Sequence, residues 1–179
     1  MLDKKVVKLL NEQVVAEFYS AYLYLDFANY YIDESLDGFG NWYTIQAQEE
    51  RDHAMLFIKY LQMNDEKVEL DTIAKPDKVF ADRIDPLKAG LEHERLVTGL
   101  INNIYDAAYQ VKDFRTMQFL DWFIKEQMEE EKKPQQQDNG IHFTDDADDN
   151  NYNIQQDDKK QKKQQEFNLE DDYYELDGF

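Results

Sequence analysis

Glu49-Glu50-Arg51-Asp52-His53-Ala54-Met55 decides how the rest of this chain is read. It lies in a run from about 38 to 64 where Trp42, Ile45, Glu49, Glu50, His53, Phe57, Tyr60 and Leu61 recur at helical spacing. Positions i and i+3 share a helical face, so the Glu50 carboxylate and the His53 imidazole point the same way. An oxygen donor beside a nitrogen donor suits a transition metal. One Glu-x-x-His arises by chance in many helices. The motif gains weight from Glu17, Glu94, Gln127 and Glu130, which fall on the inner faces of three other expected helices.

Working outward, Val7, Leu10, Val14, Glu17, Ala21, Tyr24 and Ala28 give a first helix from about 4 to 33, broken at Asp37-Gly38. Asn64 to Asp85 holds Pro76 and little periodicity, and is long enough to cross a bundle from end to end. Asp85-Pro86 opens a third helix, with Asp as N-cap and Pro at the first helical position. Its stripe is Leu87, Leu91, Glu94, Val97, Ile101, Ile104 and Ala108. Asp113 caps a fourth helix carrying Phe119, Leu120, Phe123, Gln127 and Glu130. The fold class is therefore all-α, a four-helix bundle with a long crossover between the second and third helices.

The 179 residues carry a formal charge of −19, with a pI near 4.4. That excludes nucleic acid and anionic membrane surfaces as partners, since both require basic patches, and it favours cations. Cysteine is absent, which removes disulfides, thiolate metal sites and thiol nucleophiles and fits a cytoplasmic location. No apolar run is long enough for a signal peptide or a membrane span. The composition changes at Pro134. Residues 134–179 hold Gln135-Gln136-Gln137, paired aspartates and Lys159-Lys160-Gln161-Lys162-Lys163, an acidic Gln/Asp-rich tail expected to be disordered. The domain division is thus 1–133 and 134–179.

Glu17 sits between Val14 and Ala21, and Glu94 between Leu91 and Val97, in positions that face a core. Burying a bare carboxylate costs on the order of several kcal/mol. Mis-phased stripes would leave the glutamates solvated, but the error would have to recur independently on four helices. Carboxylates and one imidazole around two cations remove the cost by replacing like-charge repulsion with coordination. Ferritin-like di-metal bundles carry a Glu on two helices and Glu-x-x-His on the other two. This chain has one Glu-x-x-His and, on the fourth helix, Gln127-x-x-Glu130.

Residues 1–133 resemble the bacterial-type non-heme ferritins. The stretches that carry the likeness are Leu10-Asn11-Glu12-Gln13, Glu17 through Tyr24, Gln48-Glu49-Glu50 with His53, Glu92-His93-Glu94, and Trp122 through Glu126-Gln127 to Glu130. The resemblance implies a ferroxidase centre in which Glu17, Glu50 and His53 hold one iron and Glu94 and Glu130 a second, with Glu50 bridging. It places Gln127 on the oxygen-binding side and Tyr24 close behind the ligands, and it likens Glu49, Glu126 and Glu129 to a third iron site. The heme-binding relatives carry a Met two residues before the metal-binding His, where this chain has Arg51, so no heme is expected; Met55 is read as packing. His93 and His142 are given no special role, His93 being expected on an exposed face.

By the same resemblance the chain is an iron-storage protein that oxidises Fe(II) with dioxygen or peroxide, and a homo-oligomer forming a twenty-four-subunit cage. Pro134, four residues after Glu130, departs from the family, where the fourth helix continues and a fifth follows. The competing reading is a ferritin-like cation-binding or interaction module with an acidic tail and impaired cage assembly.

Overall fold

The computed structural model describes residues 2–134. Four helices follow one another: α1 (Lys4–Asp33), α2 (Asp37–Met63), α3 (Asp85–Gln110) and α4 (Phe114–Glu130). Among the described residues there is no strand, and no helix is long and apolar enough to cross a membrane. Each helix begins or ends where its chemistry dictates. Asp3 accepts from the Lys5 amide at the start of α1, and Asp113 accepts from Thr116 at the start of α4. The chain turns out of α1 at Ser35, whose φ of 60° closes the connection to α2, so the break comes just before Asp37-Gly38. Helix α3 begins at Asp85 itself, with Ile84 as N-cap. Asp85 instead accepts from the Ala81 and Asp82 amides and fixes the turn leading into the helix.

The crossover runs the length of the bundle. At one end the Leu2 amide donates to Glu66 and the Asn11 side chain to the Lys67 carbonyl. At the other end the Tyr31 hydroxyl donates to the Arg83 carbonyl, and Arg83 pairs with Glu34. Helix α3 therefore starts beside the end of α1 and runs parallel to α2. Helices α1 and α2 pack as one antiparallel pair and α3 and α4 as another, with α1 against α3. Helix α2 meets α4 through rings: Phe57 lies 4.3 Å from Phe123, and Tyr60 stacks on Phe119 at 4.0 Å.

Asn11 anchors the crossover to α1. Its amide donates to the Lys67 carbonyl at 3.2 Å and its oxygen accepts from the Glu69 amide at 2.6 Å. Asn11→Ala leaves both backbone groups without that partner, so a destabilisation of about 1–3 kcal/mol is expected in chemical denaturation. Faster proteolysis within 64–84 should accompany it. Unchanged stability and cleavage would mean that the crossover is held by other contacts.

Two apolar clusters fill the bundle. One gathers Leu10, Val14, Phe57, Val97, Ile101 and Phe123; the other gathers Tyr24, Phe27, Tyr31, Tyr43, Ala47 and Leu87. Along every helix the candidate ligands fall at the junction of the two clusters or just beyond the first, so a layer of acid is enclosed by hydrocarbon. Of the first-helix aromatics, Phe27 and Tyr31 are core, Tyr19 and Tyr30 flank it, and Tyr22 is exposed. Met55, expected to pack, is also exposed, since its side chain points away from the α1 and α4 neighbours of α2. Within the described residues α4 ends at Glu130, and after a turn at Glu131 residues 132–134 are helical again, Pro134 among them. The expected tail lies outside the described residues except for Pro134, as does His142.

Candidate metal centre

Four carboxylates converge inside the bundle. Glu17, Glu50, Glu94 and Glu130 are each 2 % exposed or less, and His53 is 4 % exposed. Two donor groups form. Glu17, Glu50 and His53 bring one ligand atom each to within 4.8 Å of one another, and so do Glu50, Glu94 and Glu130. Glu50 belongs to both. His53 Nδ1 is 3.4 Å from Glu50 Oε2, the i, i+3 relation expected along α2. The His53 ring meets Trp122 edge-on at 5.5 Å and Phe123 at 5.9 Å, which holds its plane.

Neighbouring side chains orient the carboxylates. Gln13 Nε2 donates to Glu17 Oε1 at 2.8 Å from one turn earlier on α1. Gln46 Nε2 donates to Glu130 Oε2 at 3.2 Å. Gln127 Nε2 reaches Glu94 Oε2 at 3.1 Å and the Glu94 carbonyl at 3.2 Å. The Tyr24 hydroxyl also donates to Glu94. Glu17 Oε2 and Glu50 Oε1 meet no hydrogen-bond donor among the described residues. Buried carboxylate oxygens are rarely left so, because each forfeits its hydration. Both belong to the donor groups, so the unmet demand is for a cation.

Protons answer that demand in the metal-free chain. Burial, then the Glu50 charge, push the Glu17 carboxyl up to about 8. Burial, with Glu50 and Glu130, holds Glu94 well above the usual carboxylate range. Burial alone would depress His53, but Glu50, Glu17 and Glu130 outweigh it and push the imidazole up to about 10. Burial, then Glu94 and Glu50, raise the Tyr24 phenol, which keeps it a donor. A site that gathers protons in this way will exchange them for metal, since ligands must be deprotonated to coordinate. Oxygen donors with one imidazole suit iron, manganese or zinc.

The remaining expected residues are arranged differently. Among the described residues, Glu49, Glu126 and Glu129 are in neither donor group. Glu49 is buried and 3.1 Å from Lys133 Nζ, Glu126 is half-buried and Glu129 is exposed. His93 is not on an exposed face. It is half-buried, with Nε2 2.7 Å from Ser20 Oγ and its ring 6.0 Å edge-on from Tyr24. One step from Glu94 turns it toward α1 and not toward water, and burial lowers its pKa. Sequence reasoning missed Gln46, Trp122 and Lys133 as parts of the site, because their roles lie across helices. Gln13 was legible as an i, i+4 partner of Glu17.

Fold and site together define a class: a crossover four-helix bundle with two buried donor groups, one including a histidine, that share Glu50. Comparison with known proteins gives the family. The ferritin-like domain profile matches residues 7–141. A bacterial non-heme ferritin of Campylobacter jejuni is 42 % identical over 129 residues, spanning 72 % of this chain and 77 % of that protein. One from Staphylococcus epidermidis is 40 % identical across 72 % of this chain and 78 % of its own. Among solved structures, an open-pore ferritin of Archaeoglobus fulgidus aligns with a TM-score of 0.74 and 38 % identity, covering 76 % of this chain and 84 % of that one. Chlorobium tepidum ferritin aligns at 0.75 with 34 % identity and the same coverages. The chain belongs to the ferritin family.

Proposed function

We propose that this protein stores iron and oxidises Fe(II) at the buried centre, with iron as its substrate and cargo. The observation that carries the reading is Glu50, common to two donor groups, with an unpartnered oxygen on it and another on Glu17. In this reading Glu17, Glu50 and His53 take one Fe(II), and Glu50, Glu94 and Glu130 take the other. Two Fe(II) give up one electron each, and one dioxygen accepts both; peroxide is the alternative acceptor of the same pair. Anionic oxygen donors favour the harder Fe(III), which supplies driving force. Passage of the ferric product on to storage is what membership of the family implies.

The surrounding residues have separable tasks. Gln127, which donates to Glu94, is assigned the oxidant side of the centre, as the family resemblance implies. Tyr24 orients Glu94 and is placed to supply a proton or an electron. Glu49, Glu126 and Glu129 are assigned to a third, outlying metal position, where Glu49 pairs with Lys133 in this structure. Residues 1–133 are the metal-holding unit, working in a cytoplasmic homo-oligomeric cage, as in the family it belongs to.

Stopped-flow oxidation of Fe(II) with oxygen consumption tests the reading, and a rate equal to that of buffer would refute it. Tyr24→Phe should slow oxidation by roughly tenfold, the usual scale for losing a partner that orients a ligand. It should leave the number of bound metal ions unchanged. A full rate in this variant would reduce Tyr24 to a packing residue.

A further inference from the structure

The last described turn of the chain places a cation inside the bundle. Lys133 is only 13 % exposed at its side chain, while its neighbour Lys132 is exposed. Its Nζ lies 3.1 Å from Glu49 Oε2 and 3.3 Å from Gln46 Oε1, and it hydrogen-bonds Glu130 Oε1. An ammonium has three N–H donors, and these are three acceptors disposed around it. Pro134 follows and is buried, with Cγ 4.0 Å from where a Cβ on Gly90 would stand. Lys133 and Pro134 thereby close the wall beside Tyr43, Glu94 and Glu130 around a cavity of ≈ 10 Å³, room for about one water.

We propose that Lys133 is a tethered cation that fills the outlying acidic position at Glu49 and Glu130, so that this chain takes two metal ions and admits a third only when Lys133 is displaced. The proposal rests on the two-ion reading given above. A lysine is a compact point charge on a flexible stem, suited to standing in for a metal ion. Glu130 is the hinge of the arrangement. Lys133 engages its Oε1 and Gln46 its Oε2, so Glu130 faces the second ion while its outer oxygen is already neutralised. A divalent ion arriving at Glu49 would have to sit against a positive charge in a site of low dielectric, where repulsion is strong.

A purely structural ion pair would not alter how many cations the centre holds, and that number is the readout. Zn(II), which undergoes no redox change, is titrated into the full chain and counted by equilibrium dialysis. The variants are Lys133→Met, Lys133→Gln, Lys133→Arg and Lys132→Met, with circular dichroism as a check of folding. Lys133→Met and Lys133→Gln are expected to bind one more Zn(II) per chain than the parent, and adding Glu49→Gln should remove that ion. Lys133→Arg and Lys132→Met should keep the parent count. Gln retains a donor for Glu49, so it serves if the methionine variant does not fold. The proposal is overturned if the folded Lys133 variants bind no more Zn(II) than the parent while Glu50→Ala binds fewer. If Glu50→Ala also leaves the count unchanged, the two-ion reading itself has failed, and the proposal with it.

Discussion

Glu50→Ala is expected to slow Fe(II) oxidation by at least ~100-fold, since loss of an outlying partner alone costs 10–100-fold and Glu50 is a ligand shared by both donor groups. In the two-ion reading both ions lose an oxygen donor, because Glu50 belongs to both donor groups. The metal-free fold feels two opposed effects. Glu50 raises the cost of charging Glu17 and Glu94, but it is also the main support of the charged His53 imidazole, 3.4 Å away. Removing one partner of a buried ion pair is destabilising, unlike replacing both. Denaturation in the presence of a chelator at neutral pH should therefore find Glu50→Ala less stable than the parent. Added Zn(II) should stabilise the parent far more than the variant. An unimpaired oxidation rate, or equal stabilisation by Zn(II), would dispose of the centre as drawn.

The second large effect concerns pH. Glu17 moves from 4.5 up to about 8 in the folded chain, and His53 from 6.5 up to about 10. Between each pair of values the folded chain keeps a proton that the unfolded chain has released. Stability then falls as pH rises, because its slope follows the protons bound by the unfolded state minus those bound by the folded state. The contribution of Glu17 is whole below about 4.5 and is lost through about 8; that of His53 is whole below 6.5 and is lost through about 10. Glu94 acts in the same direction as Glu17. Metal-free protein should thus weaken steadily across this window, and Glu17→Gln should flatten the lower part of the decline. Zn(II) replaces the protons, so its affinity should climb with pH and its binding should release protons to the buffer. Calorimetry in two buffers of different ionisation enthalpy measures that release. No proton release, or a metal-free stability that rises from about pH 5 to about pH 8, would show that the layer is not held protonated.

The two effects share a cause. A carboxylate layer enclosed by hydrocarbon on both sides cannot remain charged without a partner. It has protons when metal is scarce and metal when metal is present. The surrounding amides of Gln13, Gln46 and Gln127 orient the carboxylates in either state, being neutral donors that do not compete as cations.

The sequence by itself determined the four helices and their crossover connection, and it put Glu17, Glu50, His53, Glu94 and Glu130 on inward faces. Each of those is written in local periodicity: apolar stripes at three- and four-residue steps, Glu50 and His53 one turn apart, and glutamates set where the stripe demands hydrocarbon. Only the tertiary structure decided what surrounds that set. His93 is one position from Glu94, and nothing local says that this step turns it onto Ser20 and Tyr24 of α1. Lys133 reads as an ordinary cation at a helix end, suited to the dipole. It becomes a half-buried, paired charge because the turn after Glu131 swings it between Glu49 of α2 and Glu130 of α4. Helical phase is a property of one segment and can be read from it. The partner of a residue at the edge of a stripe depends on which neighbouring helix lies across from it, and that is settled only when the helices pack.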